Sequence, residues 1–327
     1  MSLTSHLKER SSPVRQFFET HFPDAAAARR ACSTFWPDAS GGSGEQDRGV
    51  DRGGTGKSWN AGPPLVEPVE RDGYPWATVG TAFDYEARFL LERQDVRRLV
   101  ASEGAWALAS FFGTESVPRA FGELEARVQA LDREDPAWAR PSAPEGWRAV
   151  ADIAFVLALY EQCFRGLITP SWPLAQLGPD ASLSNVLGLV PDDAREDLVA
   201  LGRLFLTSHP TVWGAKPLVC NPTLELSGYL GGADADLIVG HRLVDIKTRA
   251  AGGIERVDLW QLLGYVLADR SDQYGITEVG MYFSRQGVLG TWPVEDLMRS
   301  MSASSDPMTL AEARERFGRL AEGLASG

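Results

Sequence analysis

Apolar residues recur along this chain at two different spacings, and the change of spacing separates a helical stretch from a later one rich in strands. Residues 5–31 follow a helical pattern interrupted at Pro13, with an Ala-rich second piece. From Gly80 the pattern is helical again. Phe83, Ala87, Leu90 and Leu91 recur on one face, as do Phe121, Leu124, Val128 and Leu131 further on. A third helix is expected over about 146–164; its run from Ile153 to Leu159 is almost wholly apolar, which marks a central element. A fourth is expected over about 192–206. From Lys216 the texture changes. Residues 216–227 read as a strand weakened by Pro222. Residues 236–239 and 243–247 are two short strands joined by Gly240-His241-Arg242, a hairpin signal. A helix follows over 254–270. A second hairpin covers 278–284 and 288–292, turning at Arg285-Gln286-Gly287, and two helices close the chain near 294–300 and 309–324. The order is helices, three strands, helix, two strands, helix, which is an α/β arrangement.

Residues 37–75 break this pattern. The stretch 38–64 is dense in Gly, Ser, Asp and Pro and carries few large apolar residues, so it reads as a flexible linker or long loop. It contains Gly53-Gly54-Thr55-Gly56-Lys57-Ser58, superficially a phosphate loop. A true one needs a glycine where Asp51 stands and a buried strand ahead of it, and neither is present. The expected division is an N-terminal helical segment (1–36), the linker (37–75), a main domain (76–300) with a helical insertion over about 105–210, and a C-terminal helix (301–327).

Charge narrows the field. Forty-four acidic side chains face 32 basic ones, a net charge of −12, whereas a protein that grips nucleic acid by bulk charge is basic. Any such contact must be local or shared with a partner. Cys32, Cys163 and Cys220 lie far apart, and so do the four histidines. Neither a disulfide framework nor a zinc or iron–sulfur site is expected. No run of about 18 apolar residues predicts a membrane span, and the N-terminus lacks an apolar signal-peptide core. A cytoplasmic location is the expectation.

The chemistry concentrates in Gly231-Gly232-Ala233-Asp234-Ala235-Asp236-Leu237-Ile238-Val239 and Leu243-Val244-Asp245-Ile246-Lys247-Thr248. Strand side chains alternate, so Asp245 and Lys247 share one face and Val244 and Ile246 the other. The hairpin returns Asp245 toward Asp236, so two carboxylates and one ammonium converge at the end of a small sheet. A bare carboxylate pair repels itself, and a divalent cation resolves the repulsion. Oxygen ligands favour Mg²⁺ or Mn²⁺ over zinc. On the next helix Leu259, Leu262, Leu263 and Val266 form the apolar stripe. Gln261 and Tyr265, four apart, share a face beside it and can reach a phosphate or buttress Lys247.

Asp236, Asp245-Ile246-Lys247 and Gln261-Leu262-Leu263-Gly264-Tyr265 together resemble the PD-(D/E)XK nuclease superfamily, and the trailing Gln-x-x-x-Tyr resembles its RecB-type exonuclease branch. The resemblance covers roughly 80–95 and 216–293. It implies a restriction-endonuclease-like core, a central mixed β-sheet flanked by helices, here with a large helical elaboration. It also implies hydrolysis of phosphodiester bonds with one or two Mg²⁺ or Mn²⁺ ions, DNA being favoured over RNA. In that reading Asp236 and Asp245 bind metal, Ile246 lends its backbone carbonyl, Lys247 is the catalytic lysine, and Gln261 and Tyr265 are accessory. Members of the family carry an upstream acid on the first core helix. Here Glu86 is the first choice, Asp84 the second, and Glu225 a rival one strand earlier. Where RecB-type relatives often have a histidine, this chain has Asp84. Three dispersed cysteines exclude the iron–sulfur branch. The implied setting is prokaryotic phage defence or DNA repair, with a protein partner supplying the targeting that no helicase or zinc-finger module provides here.

Plainer readings stand beside these. A lone Asp-x-Lys on a strand is often a surface ion pair. Asp234 reads as a solvated turn residue and His241 as an inert hairpin tip. Trp260 and Trp292 read as packing residues. Arg249 is a candidate phosphate contact, although loop arginines are commonly solvated. The competing function is a catalytically inactive binding or scaffold subunit that keeps the fold. A third is a different acidic metal enzyme, which would leave the spacing of Gln261 and Tyr265 unexplained.

Overall fold

Pro13 starts a helix rather than interrupting one. The computed structural model describes residues 2–37, 47–48, 59–134, 141 and 143–324. Its first residues form α1 (Leu3–Lys8), α2 (Pro13–His21) and α3 (Ala25–Arg30). Ser2, Ser12 and Asp24 cap them by accepting backbone N–H bonds. Pro13 takes the first helical position, where its missing N–H costs nothing. Strands β1 (Ser33–Phe35) and β2 (Asp47–Arg48) follow.

The long helical stretch comprises α4 (Trp76–Leu91), α5 (Val100–Phe112), α6 (Arg119–Glu134), α7 (Pro144–Arg165), α8 (Pro173–Leu177), α9 (Leu183–Leu187), α10 (Asp192–Ser208) and α11 (Pro210–Trp213). The remaining elements are β3 (Leu218–Cys220), β4 (Leu237–Val239), β5 (Arg242–Lys247), α12 (Arg256–Ala268), β6 (Glu278–Phe283), β7 (Val288–Pro293), α13 (Val294–Met301) and α14 (Leu310–Leu324). The fold is mixed α/β. One sheet runs β2-β1-β7-β6-β5-β4-β3, and every neighbouring pair is antiparallel except β5–β6. That parallel pair is joined through α12, as a parallel connection requires. Among the described residues no helix is long and apolar enough to cross a membrane.

The chain forms two compact units, Met1–Leu65 with Thr207–Gly327, and Val66–Leu206. The first contains the whole sheet. This differs from the expected division at both ends. The N-terminal helices are part of the sheet unit because their apolar faces need partners. Phe18 lies 5.7 Å from Phe317 of α14 and 6.1 Å from Trp260 of α12, ring to ring. Residues 76–105 belong instead to the helical unit, so the expected insertion from about 105 to 210 begins earlier, at Val66.

Two further expectations change. The strand over 216–227 shrinks to β3, because Asn221 adopts φ 52° and the chain turns over 225–230, leaving the buried Leu224 and Leu226 outside any strand. The end of the expected linker is tied down. Trp59 Nε1 donates to Thr34 Oγ1 at 2.8 Å, Ala61 N–H to the Gly252 carbonyl at 2.9 Å, and Leu65 N–H to the Arg285 carbonyl at 2.7 Å. Gly53 to Ser58 lie outside the described residues.

Alternation along the strands assigns the two faces of the sheet. Leu243 of β5, Val279, Met281 and Phe283 of β6, and Val288 and Trp292 of β7 enter one core with α1, α2, α12, α13 and α14. Tyr282 points to the other face, where it meets Trp213 and His209 at ring distances of 5.3 and 6.1 Å. His209 is buried there and shares a 2.8 Å hydrogen bond with the Gly287 carbonyl. Burial lowers its pKa to about 4, with Arg242 adding to the effect against that hydrogen bond. The unfolded chain therefore binds a proton between pH 6.5 and 4 that the folded chain refuses. Stability falls as pH drops through that window, by about 3 kcal/mol in total from this group. Thermal unfolding of wild type and His209→Gln at pH 7 and pH 4 checks it: the wild type should lose more than the variant, and equal losses would contradict it.

Within the helical unit α5 crosses α7 at Gly104, where an added Cβ would collide with the Tyr160 carbonyl oxygen. That obstacle is backbone and cannot rotate away. Gly104→Ala should destabilise this unit by about 3 kcal/mol through forced separation of the two helices. An unchanged urea midpoint would contradict the close approach.

Candidate metal and catalytic site

The β4–β5 hairpin pairs Leu237 with Val244. Continuing that register by one residue sets Asp236 opposite Asp245. Both are buried, at 9% and 4% exposure. Like charges directly opposite each other on one sheet face repel, so the local fold must answer them. It does so in several ways. Asp236 Oδ2 accepts the Ile246 backbone N–H at 2.7 Å. That bond continues the ladder with a side chain where β4 has ended. The Ile246 carbonyl projects to the same edge as its N–H. Lys247 Nζ lies 2.7 Å from Asp245 Oδ2 and donates to Gln261 Oε1 at 2.9 Å.

Helix α12 supplies the opposite wall. Every residue from Asp258 to Ala268 is buried, so the helix is apolar nearly all round and its few polar side chains must be satisfied internally. Gln261 achieves this with both ends of its amide. Its Oε1 accepts from Lys247, and its Nε2 donates to the Tyr265 hydroxyl at 2.6 Å and to Thr4 Oγ1 at 3.3 Å. Burial, with Asp245 and Asp236 nearby, pushes the Tyr265 phenol well above its ordinary pKa, so it stays protonated.

Two participants were not expected from the sequence. Asp258 lies 3.7 Å from Lys247 Nζ through Oδ1, while its Oδ2 accepts from Arg249 at 2.6 Å and from the Glu255 N–H at 2.8 Å. The signal for it was present, since Glu255 and Asp258 form a capping box at the start of α12. Thr4 is the other, brought to Gln261 by α1. Leu3 packs on Gly264, where a Cβ would come within 2.9 Å of the leucine Cδ2, and the Leu3 N–H bonds the Gly232 carbonyl at 2.7 Å. Removing the Thr4 acceptor leaves a Gln261 donor unpaired. Thr4→Val should lower stability by about 1 kcal/mol and Thr4→Ser should restore it. Chemical denaturation of the two variants reads this, and equal stabilities would show the contact to be idle.

The electrostatics are one-sided. Burial raises the Asp245 carboxyl above its usual range against the pull of Lys247, with Asp258 adding to the rise. Burial works to lower the Lys247 pKa, but Asp245, Asp258 and Asp236 outweigh it and hold the ammonium charged. Asp236, Asp245 and Asp258 bring three negative charges, and Lys247 and Arg249 bring two positive ones. Among the described residues no three His, Cys, Asp or Glu side chains form a ready-made cage. Two carboxylates and a backbone carbonyl are a donor set that suits Mg²⁺, which keeps several of its waters or takes substrate oxygens. Asp245 Oδ2 is buried and takes no hydrogen bond among the described residues beyond its ion pair with Lys247. The residues fit such an ion.

Glu86 belongs to the helical unit, where it is fully buried beside Gly202 with neither carboxylate oxygen hydrogen-bonded among the described residues. Burial, then Asp197, raises its pKa well above the usual range. Asp84 stands on the same helix. Glu225 is exposed and accepts the Ser271 N–H at 2.9 Å. It caps a turn and does not join the Asp236 group. Arg249 is held by Asp258, by the Gly253 carbonyl at 2.5 Å and by Glu255 at 3.7 Å. Trp260 and Trp292 are packing residues, their indole N–H groups bonded to the Phe22 and Ala28 carbonyls at 2.8 Å.

No protein-family model matches the chain. No curated protein and no solved structure matches it either.

Proposed function

We propose that the sheet unit is a restriction-endonuclease-like core of the PD-(D/E)XK type, and that the protein hydrolyses phosphodiester bonds in DNA with Mg²⁺ or Mn²⁺. One observation carries the reading. Asp236, Asp245 and Lys247 share one sheet face, with the lysine amine 2.7 Å from Asp245 and 2.9 Å from Gln261 of the next helix. An isolated surface ion pair needs neither the second carboxylate nor the amide.

In this reading Asp236, Asp245 and the Ile246 carbonyl would hold the cation, which would supply Lewis-acid activation of water and neutralisation of phosphate charge. Lys247 stays protonated among the carboxylates and donates to the attacking water or to a phosphate oxygen as charge develops there. Gln261 fixes the direction of the amine, and Tyr265 and Thr4 fix Gln261. Asp258 holds Arg249 and limits where Lys247 can swing. With a net charge of −12, the chain relies on a local groove or a protein partner to approach DNA. Phage defence or DNA repair is the setting we favour.

The second reading, a scaffold subunit without catalysis, is favoured by the same charge and by Arg249 being occupied internally. Incubation with supercoiled plasmid and with end-labelled single- and double-stranded oligonucleotides, in Mg²⁺, Mn²⁺ or EDTA, separates the two. Cleavage that needs the metal supports the nuclease. Retention of DNA without any cleavage in either metal supports the scaffold.

A further inference from the structure

The helical unit contains a cavity of about 420 Å³, within the range of small-molecule sites. Its lining combines an indole face, an apolar floor and a polar edge. Trp172 leans on Gly166, where a Cβ would come 3.0 Å from the indole, so the ring is braced from behind. Phe155 and Leu159 of α7 form the floor. Gln162, one turn on, donates its amide N–H to Thr78 Oγ1 at 2.6 Å, which fixes the amide plane. Its Oε1 takes no hydrogen bond among the described residues and is the acceptor on the cavity wall. At the mouth Arg71 is held by both oxygens of Asp193, at 2.5 and 3.2 Å. The cation of this lining is therefore already neutralised and offers little to a phosphate.

We infer that this cavity binds a nucleobase, stacked on Trp172 with its hydrogen-bonding edge toward Gln162 and Thr78. A flat ring with one apolar face and donors along its rim matches an indole wall beside an oriented amide. The choice of a nucleobase among flat heteroaromatic ligands rests on the nuclease reading, whereas the binding itself needs neither metal nor hydrolysis. Two sources have the same chemistry, a free nucleoside and an unstacked base of a DNA strand.

The test is a titration of the full chain in EDTA with each of the four deoxynucleosides and with short single-stranded oligonucleotides. It is read by tryptophan fluorescence and by calorimetry. At least one ligand should give saturable binding with quenching. Trp172→Leu should remove the quench, and Gln162→Leu and Thr78→Val should each weaken binding about tenfold, the loss of one good hydrogen bond. Equal affinity for nucleoside and oligonucleotide assigns the site to the free ligand; binding of oligonucleotide alone assigns it to a strand. Circular dichroism confirms folding, and using two polar variants on different elements keeps the test alive should one misfold. Absence of saturable binding by every ligand, or binding unchanged in folded Trp172→Leu and Gln162→Leu, overturns the proposal. Because the titration contains no metal, its failure leaves the hydrolysis assay standing, and a failed hydrolysis assay leaves this one standing.

Discussion

Asp236→Asn should lower metal-dependent DNA cleavage by at least about 100-fold while the protein stays folded. The asparagine side-chain oxygen can still accept the Ile246 N–H that Asp236 Oδ2 accepts at 2.7 Å, so the β4–β5 junction keeps its geometry. What disappears is one negative charge and one cation ligand. The substitution even relieves the repulsion between residues 236 and 245, so the metal-free variant should be at least as stable as wild type. Activity and stability then move in opposite directions, a pattern that a purely structural carboxylate cannot produce. Initial cleavage rates and thermal unfolding measured on one preparation check both halves.

Lys247→Met should destabilise the metal-free protein by about 3–5 kcal/mol, the cost of removing one partner from a buried ionic group. The side chains of Lys247, Asp245 and Asp258 are 16%, 5% and 9% exposed. Without the ammonium, Asp245 loses its ion pair while Asp258 keeps Arg249. Methionine fills nearly the same volume, so the loss is electrostatic and not a cavity effect. A divalent cation should recover part of it, because an ion that binds only the folded state stabilises that state by mass action. Urea denaturation of wild type and variant, with and without Mg²⁺, measures this. A loss below about 1 kcal/mol would reduce Lys247 to an ordinary surface pair.

The legible parts of the site were those that depend on short-range spacing. Asp236, Asp245 and Lys247 follow from a hairpin whose period-2 alternation and tight turn leave one register open. Gln261 and Tyr265 follow from helical spacing four apart. Asp258 has a local signal in its capping box with Glu255, but its approach to Lys247 depends on how α12 docks beside β5. Thr4 could not be reached this way. Its contact with Gln261 spans 257 positions and depends on where α1 docks. Glu86 depends on long-range placement too. Its spacing says that it is on a helix, but the chain's division at Leu65 and Leu206 decides which unit that helix joins, and no composition change marks 65/66. The expected strand over 216–227 failed because Leu224 and Leu226 alternate as strand residues do yet are buried outside any strand.

The central claim is that Asp236 and Asp245 hold a divalent cation at the end of this hairpin. Calorimetric titration of Mn²⁺ into wild type, Asp236→Asn and Asp245→Asn tests it most directly. Saturable binding by the wild type, lost or strongly weakened in both variants, is the predicted result. Equal Mn²⁺ binding by all three proteins, or none by the wild type, would contradict the account.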